Sequence, residues 1–130
     1  MAEKKKVLAV DDDASVCELY ERGIALLGYD VACAYSASQA KAYLEKEKPD
    51  VILMDIMMSE QDGISLTREI RSDPKTSDIP ILVVSGLSDA ATLNDALLFG
   101  AIDYIVKPID LEVLKNKLER ALTLREKRQG

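Results

Sequence analysis

The sequence predicts an α/β fold in which helices cover both faces of a parallel β-sheet. Two observations support this prediction. Apolar runs of four or five residues alternate along the 130-residue chain with longer segments of helical periodicity. In four of the five runs every residue is apolar, which is typical of parallel strands that are buried on both faces. We therefore expect five strands and five helices in one domain.

The strands are predicted from the apolar runs, and the helices from residues that start and stop them. The runs lie at 7–10, 31–34, 51–54, 81–84 and 102–106. The helix starts are expected at polar capping residues, which are Asp13 or Ser15, Ser36, Asp62, Asp89 and Asp110. Glycine and proline mark the helix ends at Gly28, Pro49, Pro74 and Gly100. The inward faces are expected to include Leu19, Tyr20 and Ile24 on the first helix and Ala90, Leu93 and Leu97 on the fourth.

Composition excludes several classes of function. The formal net charge of −6 argues against direct binding of nucleic acid by this domain, and the absence of histidine excludes histidine-based catalysis. No apolar run is long enough to cross a membrane, and the first residues lead into a strand rather than forming a signal peptide. The two cysteines, Cys17 and Cys33, lack the spacing of a metal site and indicate a reducing, cytoplasmic location.

Polar residues follow four of the predicted strands at the point where each strand ends. Asp11 and Asp12 follow the first strand, Asp55 the third, Ser85 the fourth and Lys107 the fifth. Parallel strands end at the same edge of a sheet. In a flavodoxin-like three-layer sandwich with strand order 2-1-3-4-5, the first strand lies beside the third. We therefore expect these five side chains to share one surface.

This group of side chains predicts a site for a phosphoryl group. Three neighbouring carboxylates repel one another, and Mg²⁺, which prefers oxygen ligands, would relieve that repulsion. Lys107 adds a second positive charge, Ser85 a hydroxyl donor, and Asp55 a nucleophile that can form an aspartyl phosphate. Taken singly, the same residues could be a solvated helix start, a turn serine and a surface lysine.

Four motifs make the chain similar to the receiver domains of two-component response regulators, over essentially its full length. They are VLAVDDD at 7–13, MDIMM at 54–58 with Asp62-Gly63 downstream, VVSG at 83–86 and DYIVKP at 103–108. The resemblance implies that Asp55 accepts a phosphoryl group from the phosphohistidine of a histidine kinase. It also implies that Asp12 and Asp55 bind Mg²⁺ directly, that Asp11 acts mostly through water, and that the Met57 carbonyl is a further ligand.

The resemblance also implies a conformational switch. Ser85 would move toward the phosphate, Tyr104 would turn inward behind it, and the Lys107-Pro108 peptide bond would be cis. The output would be a shift between two arrangements of the fourth helix, fifth strand and fifth helix. Because the chain contains no histidine, the donor must be another protein, either a sensor histidine kinase or a phosphotransfer protein.

The chain departs from the usual receiver pattern at two places. Ser59 stands where the family usually has proline, and the fourth helix lacks the basic residues that pair across the dimers of receiver transcription factors. Two bulky residues flank the site, Met57 and Leu87, and we hypothesise that they hinder water and slow the loss of phosphate. The expected state is a monomer or a phosphorylation-dependent dimer.

The sequence argues against three other classes of function and leaves a fourth open. A phosphohydrolase with an aspartate nucleophile needs a second acid two residues after Asp55, where Met57 stands. A flavin module needs hydroxyls in the loop after the first strand, where this chain has the aspartates of the VDDD motif. A nucleotide hydrolase needs the motif GxxxxGK followed by Ser or Thr, and this sequence lacks that motif. The alternative that stays open is a degenerate receiver that docks proteins without phosphate.

We expect residues 1–124 to form the receiver domain and residues 125–130 a polar C-terminal tail that frays. The protein would catalyse only its own phosphorylation and dephosphorylation, and so would not be a turnover enzyme. It would act on a downstream effector protein, or on an output domain that lies outside this sequence.

Overall fold

The computed structural model describes residues 4–58, 61–86 and 90–129, with backbone alone for 90–93 and 126–129. In this part of the chain five strands form one sheet in the order β2-β1-β3-β4-β5, and all neighbouring strands are parallel. The strands are β1 (Lys6–Val10), β2 (Asp30–Ala34), β3 (Val51–Asp55), β4 (Ile81–Ser85) and β5 (Asp103–Val106). The predicted fold class and strand order are confirmed.

Five helices connect and follow the strands. They are α1 (Ala14–Leu26), α2 (Ala37–Lys46), α3 (Gly63–Ser72), α4 (Ala90–Leu98) and α5 (Leu111–Gln129). The predicted caps Ser36, Asp62 and Asp110 each accept a backbone hydrogen bond in the first turn of their helix. Gly28 and Gly100 have positive φ angles at the ends of α1 and α4, as expected for glycine stops. The predicted cap Asp89 lies outside the described residues, as do Ser59 and Leu87.

Of the two predicted starts of α1, Asp13 and Ser15, the structure selects Asp13 as the cap. The Asp13 carboxylate accepts hydrogen bonds from the backbone N–H groups of Ser15 and Val16, at 2.8 and 3.4 Å. Asp13 is therefore the N-cap residue, and Ser15 becomes a residue of the first turn of α1.

Two apolar cores lie on opposite faces of the sheet. One lies between the sheet and helices α2, α3 and α4. The other lies between the sheet and helices α1 and α5, where Tyr20, Ile24, Leu114 and Leu118 are fully buried. Two predicted inward residues are instead exposed. Leu19 lies on the flank of α1, since Cys17, Tyr20 and Ile24 form its buried stripe, and Ala96 rather than Leu97 is buried on α4. The side chains of Ala90 and Leu93 lie outside the described part of the structure.

The last helix is longer than expected. It continues to Gln129, so that the segment from residue 125, expected to fray, is helical as far as it is described. The Arg125 guanidinium is mostly buried and pairs with the Asp50 carboxylate at the start of β3, which holds this part of α5 against the sheet. Among the described residues there is no helix long and apolar enough to span a membrane.

Candidate functional site

The register of the strands brings the polar strand ends to one edge of the sheet. Val10 of β1 is paired with Met54 of β3, so the next residues along these strands, Asp11 and Asp55, lie side by side. Asp55 is paired with Val84 of β4, which places Ser85 one position further along. Ser85 is in turn paired with Val106, the residue before Lys107.

Three carboxylates converge at this edge. Asp11, Asp12 and Asp55 each offer one carboxylate oxygen, and these oxygens all lie within 4.8 Å of one another. Asp11 and Asp55 are buried, whereas Asp12 is exposed. The backbone N–H of Asp13 donates a 2.9 Å hydrogen bond to Asp11 Oδ1 and so fixes one oxygen of the buried carboxylate. The two buried acids therefore form the floor of the site, and Asp12 stands at its rim.

Lys107 is the cation that faces this cluster. Its Nζ lies 3.0 Å from Asp11 Oδ2 and 3.4 Å from Asp55 Oδ1. Burial lowers the pKa of the Lys107 ammonium, but the hydrogen bond to Asp11 and the charge of Asp55 raise it by more, so that the pKa lies above its ordinary value. Its backbone N–H donates to the Ser85 carbonyl at 2.8 Å, and the Lys107-Pro108 bond is cis, as expected.

Asp55 shares the Lys107 ammonium with Asp11, and this affects its pKa. Burial, reinforced by the negative charge of Asp11, raises the pKa of Asp55 from 3.8 to about 6, although Lys107 acts in the opposite direction. An elevated pKa on a buried acid with specific charged neighbours is typical of functional sites. The Asp55 carboxylate is thus held in an environment with too little positive charge to match it.

The donor set fits a small, hard divalent cation. All three groups that converge are carboxylates, and the part of the chain described contains no histidine or thiolate at the cluster. Mg²⁺ prefers oxygen ligands, binds through one or two carboxylates and retains several waters, and the exposed Asp12 leaves one side open to solvent. A cation at this place would supply the charge that Asp55 lacks.

The other predicted site residues surround the cluster at different depths. Ser85 is buried at the end of β4, and the Met57 side chain is exposed just beyond Asp55. Tyr104 is half-buried and packs against the core on the α2–α4 side of the sheet. The structure therefore brings together Asp11, Asp12, Asp55 and Lys107, with Ser85 on the adjoining strand end, while Tyr104 lies three residues before Lys107.

Two supporting residues were not assigned roles by the sequence analysis. A Cβ at Gly63 would lie 2.0 Å from the Asp55 carbonyl oxygen, so only glycine allows the chain to pass beneath the central aspartate. The Cys17 thiol donates to the Asp11 carbonyl at 3.2 Å. The Asp-Gly pair downstream of Asp55 was a visible signal for the first contact. The second depends on the packing of α1, which local sequence does not reveal.

Comparisons with known proteins agree with this description. The α/β sandwich with strand order 2-1-3-4-5 is shared by the CheY-like response regulator receiver domain protein of Methanospirillum hungatei, which is 26% identical with a TM-score of 0.89. That similarity covers 97% of this chain and 99% of the other. The chemotaxis protein CheY4 of Vibrio cholerae is 29% identical with a TM-score of 0.88, over 92% of this chain and all of that one.

Curated relatives match over most of this chain but only part of their own length. The transcriptional regulatory protein ZraR of Salmonella typhimurium is 40% identical over 92% of this chain and 26% of its own length. A "probable transcriptional regulator ycf27" of Guillardia theta is 39% identical over 92% of this chain and 46% of its own. This chain therefore spans about a quarter to a half of these relatives.

A family profile also matches this chain directly. The profile describes the response regulator receiver domain, and it matches residues 7–119. The chain belongs to the receiver domain family of two-component response regulators. Members of this family are signalling domains rather than conventional enzymes, and they work with histidine kinases and output domains.

Proposed function

We propose that this domain accepts a phosphoryl group on Asp55 and uses it to switch between two conformations. The observation that carries the proposal is the buried Asp55 carboxylate, whose pKa is raised by burial and by Asp11 while Lys107 lies 3.4 Å from its Oδ1 atom. Such a carboxylate is ionised at neutral pH, poorly shielded from negative charge, and close to a lysine that can contact phosphoryl oxygens. These are the properties required of a nucleophile in phosphoryl transfer.

The proposed reaction moves the phosphoryl group from nitrogen to oxygen. One Asp55 carboxylate oxygen attacks the phosphorus of a kinase or phosphotransfer phosphohistidine. The P–N bond breaks, and the imidazole nitrogen keeps the electron pair and takes up a proton. Lys107 would contact a phosphoryl oxygen with its ammonium, and the Ser85 hydroxyl would donate to another. Asp55 would act as nucleophile, and Lys107 and Ser85 as stabilising groups.

We propose that Asp11, Asp12, Asp55 and the Met57 carbonyl hold Mg²⁺ for this reaction. Bound there, the ion supplies positive charge that offsets both the carboxylates and the phosphoryl oxygens. The proposal is supported by the convergence of three carboxylate oxygens within 4.8 Å and by the raised pKa of Asp55. Because Asp12 is exposed, this set of residues would leave a bound ion open to water, which suits Mg²⁺.

The proposed output is a shift of α4, β5 and α5, with Ser85 and Tyr104 as the switch residues. Residues 1–124 would form the receiver unit, with residues 125–130 as its polar extension, and the partner would be an effector protein or an output domain. Because the curated relatives named above are transcriptional regulators, an output domain of that kind is one candidate. We expect a cytoplasmic location, which fits the free thiols of Cys17 and Cys33.

Intact-mass analysis with acetyl phosphate tests the proposal. We expect one added phosphoryl group on the wild-type protein with Mg²⁺, and none after chelation of the metal or in Asp55→Asn. No adduct under fast quench would favour the alternative, a receiver that docks proteins without phosphate. An adduct that persists in Asp55→Asn would show that another residue is the nucleophile.

Met57 offers a test of phosphate lifetime. Its exposed side chain follows Asp55 by two residues, and we propose that its bulk hinders the attacking water. Met57→Asn should therefore speed dephosphorylation of the labelled protein, measured as the decay of the mass adduct after the donor is removed. An unchanged decay rate would contradict this role. Leu87, expected to act in the same way, lies outside the described residues.

A further inference from the structure

Lys117 of α5 makes two contacts with consecutive residues of the edge strand β5. Its Nζ lies 2.9 Å from Asp103 Oδ2, and the same ammonium stands over the Tyr104 ring, 5.3 Å from the ring centroid. The Asp103 carboxylate is fixed from a second direction, because its Oδ1 accepts a 2.8 Å hydrogen bond from the Tyr104 backbone N–H. The three residues therefore form one connected group.

The geometry of this group crosses the sheet. Neighbouring residues of a strand point to opposite faces, so Asp103 and Tyr104 belong to different layers. Ile105, two residues after Asp103, is buried in the core beneath α1 and α5, whereas Tyr104 packs against the core on the other face. Among the described residues β5 is the last strand of the sheet, and Lys117 contacts residues on both of its faces at that edge.

The contacts are partly shielded from solvent. The exposed fractions of the Lys117 and Asp103 side chains are 28% and 20%, well below those of the ion pair Lys41–Glu69 on the surface of the molecule. A cation over an aromatic face gains strength as it loses water. The ammonium is also held in place by Asp103, so that less side-chain freedom is lost when it contacts the ring.

We propose that Lys117 is a positioning residue that holds the Tyr104 ring at the edge of the sheet in the resting protein. This inference rests on the proposed function, because it assigns a restraint to the ring whose inward turn would accompany phosphorylation. The ring cannot move toward the buried core and keep its place beneath the ammonium. Removal of the Lys117 charge therefore favours the inward arrangement before any phosphate is present.

Fluorine NMR tests this inference on the full chain labelled with 3-fluorotyrosine. The chain has five tyrosines, and Tyr104→Phe identifies the resonance of Tyr104. The variants are Lys117→Met, which keeps the apolar stem and removes the charge, and Lys117→Arg, which keeps a cation. Lys115→Met is the matched control, since Lys115 is an exposed lysine two residues earlier on the same helix. Thermal unfolding followed by circular dichroism checks that each variant is folded.

We expect the Tyr104 resonance to move in Lys117→Met toward its position with Mg²⁺ and beryllofluoride, and to stay in place in Lys115→Met and Lys117→Arg. The beryllofluoride concentration at half-saturation should fall about 2- to 5-fold in Lys117→Met, the range that a partly shielded cation–aromatic contact supports. Asp103→Asn should give a smaller change of the same sign, because the ammonium would be less firmly held.

The outcomes separate the two proposals. If the wild-type protein responds to beryllofluoride but Lys117→Met matches Lys115→Met in both readouts, Lys117 has no positioning role and the inference is wrong. If the wild-type protein shows no response that depends on Asp55, the proposed phosphorylation switch fails, and the role assigned to Lys117 fails with it. A Lys117→Met variant that needs more beryllofluoride than wild type would also overturn the inference.

Discussion

The two edges of the sheet both carry clusters of charge, but they balance that charge in different ways. At the carboxyl edge, Lys107 pairs with both Asp11 and Asp55, and Asp12 lies in the same cluster of carboxylates. At the amino edge the charges form matched pairs, which are Lys6–Glu47, Lys48–Asp78 and Arg125–Asp50. The edges have the same kinds of side chain, so their difference lies in how the charges are matched.

The pKa of one carboxyl group at each edge is shifted, and the two shifts have opposite directions. Burial would raise the pKa of Asp78, but the hydrogen bond and the charge of Lys48 outweigh it and hold the value below the ordinary range. Burial and Asp11 raise the pKa of Asp55 to about 6 in spite of Lys107. The pairs at the amino edge stabilise the charged form of Asp78, whereas Asp55 at the carboxyl edge shares one lysine with Asp11 and is less stable in its charged form.

The largest effect is expected when Lys107 is replaced. Lys107→Met leaves the fully buried Asp11 without its ion pair, which should lower the free energy of unfolding by about 3–5 kcal/mol in the absence of metal. Urea denaturation with chelator measures this loss, and added Mg²⁺ should reduce it. A loss below about 1 kcal/mol would mean that this edge is not short of positive charge.

Asp55→Asn should have the opposite sign and stabilise the metal-free protein. Because the folded pKa of about 6 exceeds the ordinary 3.8, the folded state binds more protons than the unfolded state between these values. The free energy of unfolding therefore falls as the pH rises from about 4 to about 6, and the deficit persists at higher pH. At about 1.4 kcal/mol for each unit of pKa, the variant should gain about 3 kcal/mol at pH 7.5.

The test of this second prediction is urea denaturation of both proteins from pH 4 to pH 8 without metal. Asp78→Asn is the matched control from the other edge, where the lowered pKa of the acid predicts a loss of stability at neutral pH. If Asp55→Asn and Asp78→Asn change stability in the same direction at pH 7.5, the contrast between the two edges is wrong.

At the amino edge, Arg125→Met should lower the free energy of unfolding by about 1–3 kcal/mol, because it leaves a shielded carboxylate without its charged donor. The exposed fractions are 11% for Arg125 and 22% for Asp50. Arg120→Met, an exposed position on the same helix, should change stability little. Far-ultraviolet circular dichroism should show that Arg125→Met also loses helix at the end of α5, and equal helix content in the two variants would contradict this anchoring role.

The smallest effect is expected for the exposed pair of the amino edge. The exposed fractions are 48% for Lys48 and 39% for Asp78, so water screens the attraction between them. Lys48→Met should change the free energy of unfolding by less than about 1 kcal/mol, and the remaining effect should shrink in 1 M salt. A larger and salt-independent loss would show that this pair is structurally more important than its exposure indicates.

Much of this organisation could be predicted from the sequence, because the fold and the carboxyl edge depend on local signals. Runs of mainly apolar residues identified all five strands, and the residues that follow them identified the cluster of Asp11, Asp12, Asp55 and Lys107. Parallel topology then brought those residues together, since it places all strand ends at one edge.

Some features could not be predicted from the sequence. In two cases neighbouring residues carry equally good local signals, and in a third the feature is a contact between elements that are distant in the sequence. Asp13 and Ser15 can both cap a helix, and the geometry of the chain entering α1 selected Asp13. The inward residue of α4 is Ala96 rather than its neighbour Leu97, a rotation of about 100° that the apolar pattern of this helix does not define. The contact of Lys117 with Tyr104 joins two elements across the sheet edge, so no local pattern predicts it.

The glycine beneath Asp55 has a consequence for how this protein can diversify. Gly63 donates its N–H to the Ile56 carbonyl at 2.8 Å, so the two ends of the intervening loop are fastened together directly below the central aspartate. Doubling the length of a closed flexible loop costs only about 0.6 kcal/mol. We therefore expect residues inserted between Met57 and Asp62 to cost little folding free energy, because the hydrogen bond keeps the two ends of the loop together. Its closing glycine has no such freedom, because a side chain there would collide with the Asp55 backbone.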